Sequence, residues 1–197
     1  VLYDRDKEDR EAIANGIAAK RGATLVRPYD DPFVIAGQGT VGREIAEDMT
    51  ALGLAPDIVV APASGGGLIA GVATAVKAKF PQAQVIVAEP KDYDDHGLSL
   101  RAGHREAHHA AGRTICDALM AAMPGELTFS INSKLLAKGV IASDEEVGAA
   151  VAYAYRELKL VVEPGGAVGR IDVRGKNIVI VLSGGNVDAD LFAKLVA

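Results

Sequence analysis

The residues best suited to chemistry sit in three short glycine-rich stretches. Ser64-Gly65-Gly66-Gly67-Leu68 lies between an apolar run and a segment with helical spacing. Three successive glycines let backbone N–H groups converge on an anion with no Cβ in the way. A helix starting there adds the positive end of its dipole. A phosphate monoester is the guest such a loop fits. No Gly-Lys-Ser/Thr follows, so this is not a Walker loop, and the glycines lack the spacing of the dinucleotide fingerprint. For this loop taken alone, a tight turn with no ligand stays open. Glu163-Pro164-Gly165-Gly166-Ala167 and Ser183-Gly184-Gly185-Asn186-Val187-Asp188 each put a polar residue before paired glycines. The second follows a strand-like run, where ligands of open parallel sheets collect. Three such loops in one chain point to one shared pocket.

Other reactive residue types read more plainly. His104, His108 and His109 fall in the stretch Arg101 to Ala111, which reads as a solvated loop rather than a zinc site. The single cysteine, Cys116, sits in an apolar stretch and reads as a packing residue. One cysteine excludes an internal disulfide framework and fits a reducing cytoplasm.

The elements that must position these loops alternate between helix and strand. Lys7 to Arg21 has apolar residues at helical spacing (Ala12, Ile13, Ile17), with Gly22 placed to end the helix. Ala23 to Val26 is a short strand candidate. Val34 to Leu52 reads as a second helix, closed by Gly53. Asp57 to Ala61 is a nearly continuous apolar run, as in a strand buried on both faces. A helix from Leu68 to Phe80 and a buried strand from Gln84 to Ala88 follow the first glycine loop. This strand–helix–strand unit implies a parallel sheet. Ser143-Asp144-Glu145-Glu146 is a capping box opening a helix to about Leu158. Asn177 to Leu182 is the last strand. The expected fold is α/β: a three-layer, mostly parallel twisted sheet with helices on both faces. The chain has 197 residues, a net charge of -5 and a pI near 5.4. That acidic balance argues against nucleic acid or an anionic membrane as the main partner, and no apolar run approaches the length of a membrane span. Val1-Leu2-Tyr3 reads like the inside of a strand, so the chain is expected to be part of something longer.

Taken together, several stretches resemble the fold-type-II pyridoxal-phosphate enzymes, in the branch of serine racemase and the serine/threonine dehydratases. They are Val34-Ile35-Ala36-Gly37-Gln38-Gly39-Thr40, Ser64 to Leu68 with Ile69-Ala70-Gly71, Ala88-Glu89-Pro90, Thr114-Ile115-Cys116-Asp117, Glu163 to Ala167, and Leu182 to Asp188. They run in family order over essentially the whole chain. The resemblance implies that residues 1–22 close the small domain and its crossover, and that residues 23–197 form the large cofactor domain. It implies that the backbone of Ser64, Gly65, Gly66, Gly67 and Leu68 holds the phosphate of pyridoxal 5′-phosphate. Ser183 would hydrogen-bond the ring nitrogen, and Glu163 would lie beside the cofactor. A neutral hydroxyl at the ring nitrogen makes a weaker electron sink than a carboxylate does, which suits β-elimination. The resemblance also implies a divalent cation (Mg²⁺, Mn²⁺ or Ca²⁺) on Glu89, Asp95 and the backbone carbonyl of Tyr93, a hard oxygen set. A solvated acidic helix start is the plain alternative there.

The implied activity is dehydration and deamination of a hydroxy amino acid, serine or threonine, to a 2-oxo acid and ammonia. The resemblance to this branch also implies serine racemisation as a second activity; hydroxyaspartate dehydration, β-replacement and a fragment that only binds phosphate or cofactor stay open. A homodimer acting on a small amino acid is implied as well. Two departures stand out. The family's cofactor-bonding lysine lies in a Ser-x-Lys-x-Arg-Gly-Ala segment, and no such segment occurs in this sequence; Lys134, Lys138 and Lys159 stand in other contexts. After Ala167-Val168 the family continues as a helix of about two turns, whereas Gly169-Arg170-Ile171-Asp172-Val173 follows here. Ala118 also replaces a glycine common in the dehydratases.

Overall fold

The computed structural model describes residues 1–4, 7–108, 112–169 and 177–197. Its centre is a pair of parallel strands, β1 (Ile58–Pro62) and β2 (Gln84–Pro90), buried along nearly their whole length. β3 (Leu136–Ala142) adds to β2 and β4 (Ile178–Ile180) to β1, all parallel, in the order β3-β2-β1-β4.

Strand alternation sends successive side chains to opposite faces. Val59, Ala61, Val85 and Val87 meet Ile69, Val72, Ala73 and Val76 of α3 (Gly67–Lys79). Ile58, Val60, Ile86 and Ala88 meet Cys116, Leu119, Val168 and Val147, the last from α6 (Asp144–Tyr153). Helices therefore cover both faces, as the apolar runs predict. α2 (Pro32–Ala51) lies outside α3. The two approach so closely that a Cβ on Gly71 would stand 2.4 Å from Gly39 N, and one on Gly42 2.6 Å from Val72 O.

Most helix boundaries follow their capping residues. Asp9 caps α1 (Arg10–Arg21) and Gly22 ends it at φ 60°; the helix starts later than Lys7 because that cap is at Asp9. Asp31 caps α2, with Pro32 in its first turn. Ser143 and Glu146 close the predicted capping box of α6. That helix widens into a π turn over Ala154–Leu158 and stops at Lys159, φ 63°. α4 (Asp95–Ala102) and α5 (Glu126–Leu135) flank the loop of His104 and His108, while α7 (Pro164–Ala167) and α8 (Ala189–Val196) complete the chain.

Three expectations need correction. Ala23 to Val26 is irregular and exposed; among the described residues no strand runs alongside to pair with it. Val1–Tyr3 is irregular too, with Val1 and Leu2 fully exposed. β3 was not foreseen; it follows α5 with no intervening turn, and as an edge strand it carries a mixed burial pattern. Of the stretch after Val168, Arg170 to Val173 lie outside the described residues; His109 does as well.

Candidate functional site

Ser64, Gly65, Gly66, Gly67, Leu68 and Ser183 line one cavity of about 710 Å³, closed by Tyr29 and by Ala118 to Ala122. The loop leaves β1 at its carboxyl end and turns into α3 at Gly66, whose φ of 95° is left-handed. No side chain caps α3, so the N–H groups of Gly67, Leu68 and Ile69 have no intrahelical partner.

The loop is oriented from behind. Gly65 O accepts from Gly125 N at 3.1 Å and from the Thr128 hydroxyl at 2.6 Å. Gly66 O accepts from Ala70 N at 3.0 Å and from Asn132 Nδ2 at 3.3 Å. C=O and N–H point oppositely across a trans peptide, and no peptide among the described residues is cis. The N–H groups of Gly66 and Gly67 therefore face away from α5 and from the body of α3. Ser64 Oγ accepts from Ala121 N at 3.1 Å, tying the far wall to the loop. Gly65 has no room for a side chain: a Cβ would come within 2.2 Å of the Tyr29 ring.

Ser183 is exposed, at the open side of the cavity, and its N–H reaches Gly166 O at 3.4 Å. Glu163 is not among the lining residues. Its N–H donates to Gly184 O at 2.9 Å and its carboxylate covers Gly184, where a Cβ would meet Oε1 at 2.1 Å. The second and third glycine loops thus lock to each other, and one of them presents Ser183 to the first. Uncapped helix N–H groups, a hydroxyl on the same wall and the cavity size together fit a phosphate-bearing ring.

The acidic stretch forms a separate, fully buried cluster. Glu89, at the end of β2, accepts from His96 N and Gly97 N, both at 2.8 Å, and so caps α4. Asp95 and His96 are buried beside it, and ligand atoms of all three lie within 4.8 Å of one another. Asp95 Oδ2 and His96 Nδ1 have no hydrogen-bond partner. Burial pushes the Glu89 carboxyl up, an effect that the hydrogen bond to His96 partly offsets. Burial by itself would lower His96, but the Asp95 and Glu89 carboxylates outweigh it and push the imidazole up to about 9. Two buried carboxylates suit a positive group, and the His96 imidazole, with Nδ1 3.5 Å from Asp95 Oδ2 and 3.7 Å from Glu89 Oε1, is the one they face. Tyr93 offers only its backbone here: its hydroxyl donates to Gly112 O, and its ring packs at a tilt of 48° against His108 with centroids 4.4 Å apart.

Sequence reasoning passed over His96, Thr128 and Asn132. His96 follows Asp95 directly, and that adjacency was the available signal. Thr128 and Asn132 share one face of α5, a helix whose pattern was not recognised. The exposed His104 is engaged locally, with Nε2 2.7 Å from Glu106 Oε1.

Comparison with known proteins gives consistent relatives. The family model described as "Pyridoxal-phosphate dependent enzyme" matches residues 1–184. The chain is 38% identical over 187 residues to L-threonine ammonia-lyase of Thermotoga maritima, covering 91% of this chain and 45% of that protein. It is 35% identical over 204 residues to L-threo-3-hydroxyaspartate ammonia-lyase of Saccharomyces cerevisiae, covering 100% of this chain and 61% of the other. The solved structure of maize serine racemase superposes with a TM-score of 0.87 at 33% identity, covering 98% of this chain and 61% of that one. The chain thus spans roughly half of the length of these curated relatives.

Proposed function

Because this chain belongs to the family of pyridoxal-phosphate-dependent enzymes, we propose that it is the cofactor-cradling part of an ammonia-lyase: a hydroxy amino acid such as serine or threonine loses its β-hydroxyl as water, and the resulting enamine takes up water to give a 2-oxo acid and ammonia. The convergence of the uncapped glycine loop and Ser183 on one cavity carries this reading. Ser64 to Leu68 receive the phosphate through backbone N–H groups and the N-terminus of α3. The Ser183 hydroxyl partners the ring nitrogen, and Glu163 holds the Gly184 backbone so that Ser183 keeps its place. Bound pyridoxal phosphate supplies the electron sink for the substrate's α-carbon. A neutral serine at the nitrogen keeps that sink modest, which suits loss of a β-hydroxyl. Residues 1–22 belong to the small domain and its crossover in this reading, and 23–197 to the large domain. Glu89, Asp95 and the Tyr93 carbonyl take a divalent cation (Mg²⁺, Mn²⁺ or Ca²⁺), and the assembly is a homodimer. Lys134, Lys138 and Lys159 are not in the cavity lining and have no part in it.

The test is made on full-length protein with L-serine, L-threonine and 3-hydroxyaspartate. Oxo acid and ammonia should form in equal amounts, and Ser183→Ala should lower kcat roughly tenfold, the worth of one lost hydrogen bond. No oxo acid from any of the three substrates sinks the lyase reading. A second reading, L-threo-3-hydroxyaspartate as the preferred substrate, is favoured by the yeast relative's full coverage of this chain; the same assay ranks the three. The chiral purity of recovered serine reports racemisation.

A further inference from the structure

The glycine loop and the buried carboxylate cluster are joined by a side-chain bridge whose geometry serves neither site alone. We propose that His96, with Asn132, is a positioning pair that sets the phosphate-holding loop from behind and ties it to Glu89 and Asp95. This rests on the reading that Ser64 to Leu68 hold the cofactor phosphate.

His96 has no solvent exposure. Its Nδ1 faces the carboxylates, 3.5 Å from Asp95 Oδ2 and 3.7 Å from Glu89 Oε1. Its Nε2 is 3.2 Å from Asn132 Nδ2 and accepts from that amide in the tautomer that keeps the ring proton on Nδ1, toward the carboxylates; the same amide donates to Gly66 O at 3.3 Å. Asn132 is also fully buried. The ring touches the loop directly as well. A Cβ on Gly66 would stand 2.4 Å from His96 Nε2, 2.9 Å from its Cε1 and 2.8 Å from Asn132 Nδ2. The imidazole edge is therefore the back wall against which the left-handed Gly66 rests.

Three elements meet at this point: the start of α3 through Gly66, α4 through His96 and α5 through Asn132. Side chains packed at interior density have no free play. The ring cannot advance without pushing Gly66, and it cannot retreat without closing on the carboxylates. The peptide whose carbonyl Asn132 holds is the one whose N–H, on Gly67, is offered to the phosphate. A substitution at Glu89 or Asp95 that moves the ring is thereby transmitted to the phosphate donors. Glycine at 66 is set by this wall as much as by its own φ.

A phosphate-specific measurement separates positioning from general damage. Full-length wild type, His96→Ala, His96→Gln, Asn132→Ala and Asp95→Asn are titrated with pyridoxal 5′-phosphate, inorganic phosphate and unphosphorylated pyridoxal. Thermal melts run alongside. His96→Ala and Asn132→Ala should weaken both phosphate-bearing probes roughly tenfold, one hydrogen bond's worth, and leave pyridoxal unchanged. The ³¹P resonance of bound cofactor should shift in both. His96→Gln keeps a polar atom near Asn132 and should recover part of the loss. Asp95→Asn should shift affinity for the phosphate probes alone, although it touches no loop residue. Equal weakening of all three probes, or none, overturns the proposal while leaving the proposed function standing. If His96→Ala does not fold, His96→Gln and Asn132→Ala decide by the same criterion. Wild type that binds neither phosphate probe overturns this inference and the cofactor assignment together.

Discussion

Replacing Gly66 with alanine tests the geometry of the loop against a built-in control. Gly66 and Gly103 both have positive φ, 95° and 76°. Each end of the comparison is a helix cap: Gly66 begins α3 and Gly103 ends α4. A Cβ at Gly103 meets nothing within 4 Å, whereas one at Gly66 collides with the buried His96 and Asn132. The backbone term is common to both variants and costs about 1 kcal/mol for an L-residue in this region. The collision adds about 1–3 kcal/mol, the range for overpacking a filled interior. Gly66→Ala should therefore be about 2 kcal/mol less stable than Gly103→Ala. At about 2–4 °C per kcal/mol for a domain of this size, the two melting temperatures should differ by roughly 4–8 °C. Urea denaturation and calorimetry on the same protein read this directly. Gly66→Ala should also bind inorganic phosphate more weakly, while Gly103→Ala should bind as wild type does. Two variants of equal stability would refute the close back wall, and unchanged phosphate affinity in Gly66→Ala would refute the role of the loop.

Two further predictions follow from single residues. Cys116 is fully buried, and its burial, only partly offset by a Thr114 hydrogen bond, pushes the thiol up to about 12. It should resist iodoacetamide in the native protein at pH 8 and react fully in urea; rapid native labelling, followed by mass spectrometry, would contradict its buried setting. The Ser143 backbone N–H and hydroxyl bond the Glu146 carboxylate at 2.8 and 3.0 Å and hold its pKa below the ordinary value. The charged form is thus favoured by folding, so its stabilisation is complete above the ordinary carboxylate pKa and is lost as pH falls through the lowered one. Ser143→Ala should cost about 1 kcal/mol at neutral pH and flatten that acid limb of stability, as measured by urea unfolding across a pH series.

Much of the site was legible because its signals are local. A triple glycine between a buried apolar run and a helical pattern has few physical uses, and the chain puts it at the carboxyl end of β1 as expected. The capping box at Ser143, the glycine stop at Gly22 and the fully apolar β1 and β2 are legible for the same reason: each depends on neighbours a few residues away. Ala23–Val26 misled because strand composition is only a permission, and pairing requires a neighbour. β3 was missed because an edge strand with Lys138 and Gly139 lacks the apolar run of a central one.

The amino-acid order by itself determined which segments could turn, cap, and bury, and where a glycine loop would open an uncapped helix. Only the tertiary structure decided what stands behind that loop. Glu89, His96 and Asn132 lie on β2, α4 and α5, and no spacing along the chain relates them to Gly66. Their meeting depends on the parallel β1–β2–β3 packing, which brings the ends of separate strand–helix units to one edge. The chemistry of the glycine loop was therefore local, while its orientation and its link to the buried carboxylates arose from contacts between distant segments.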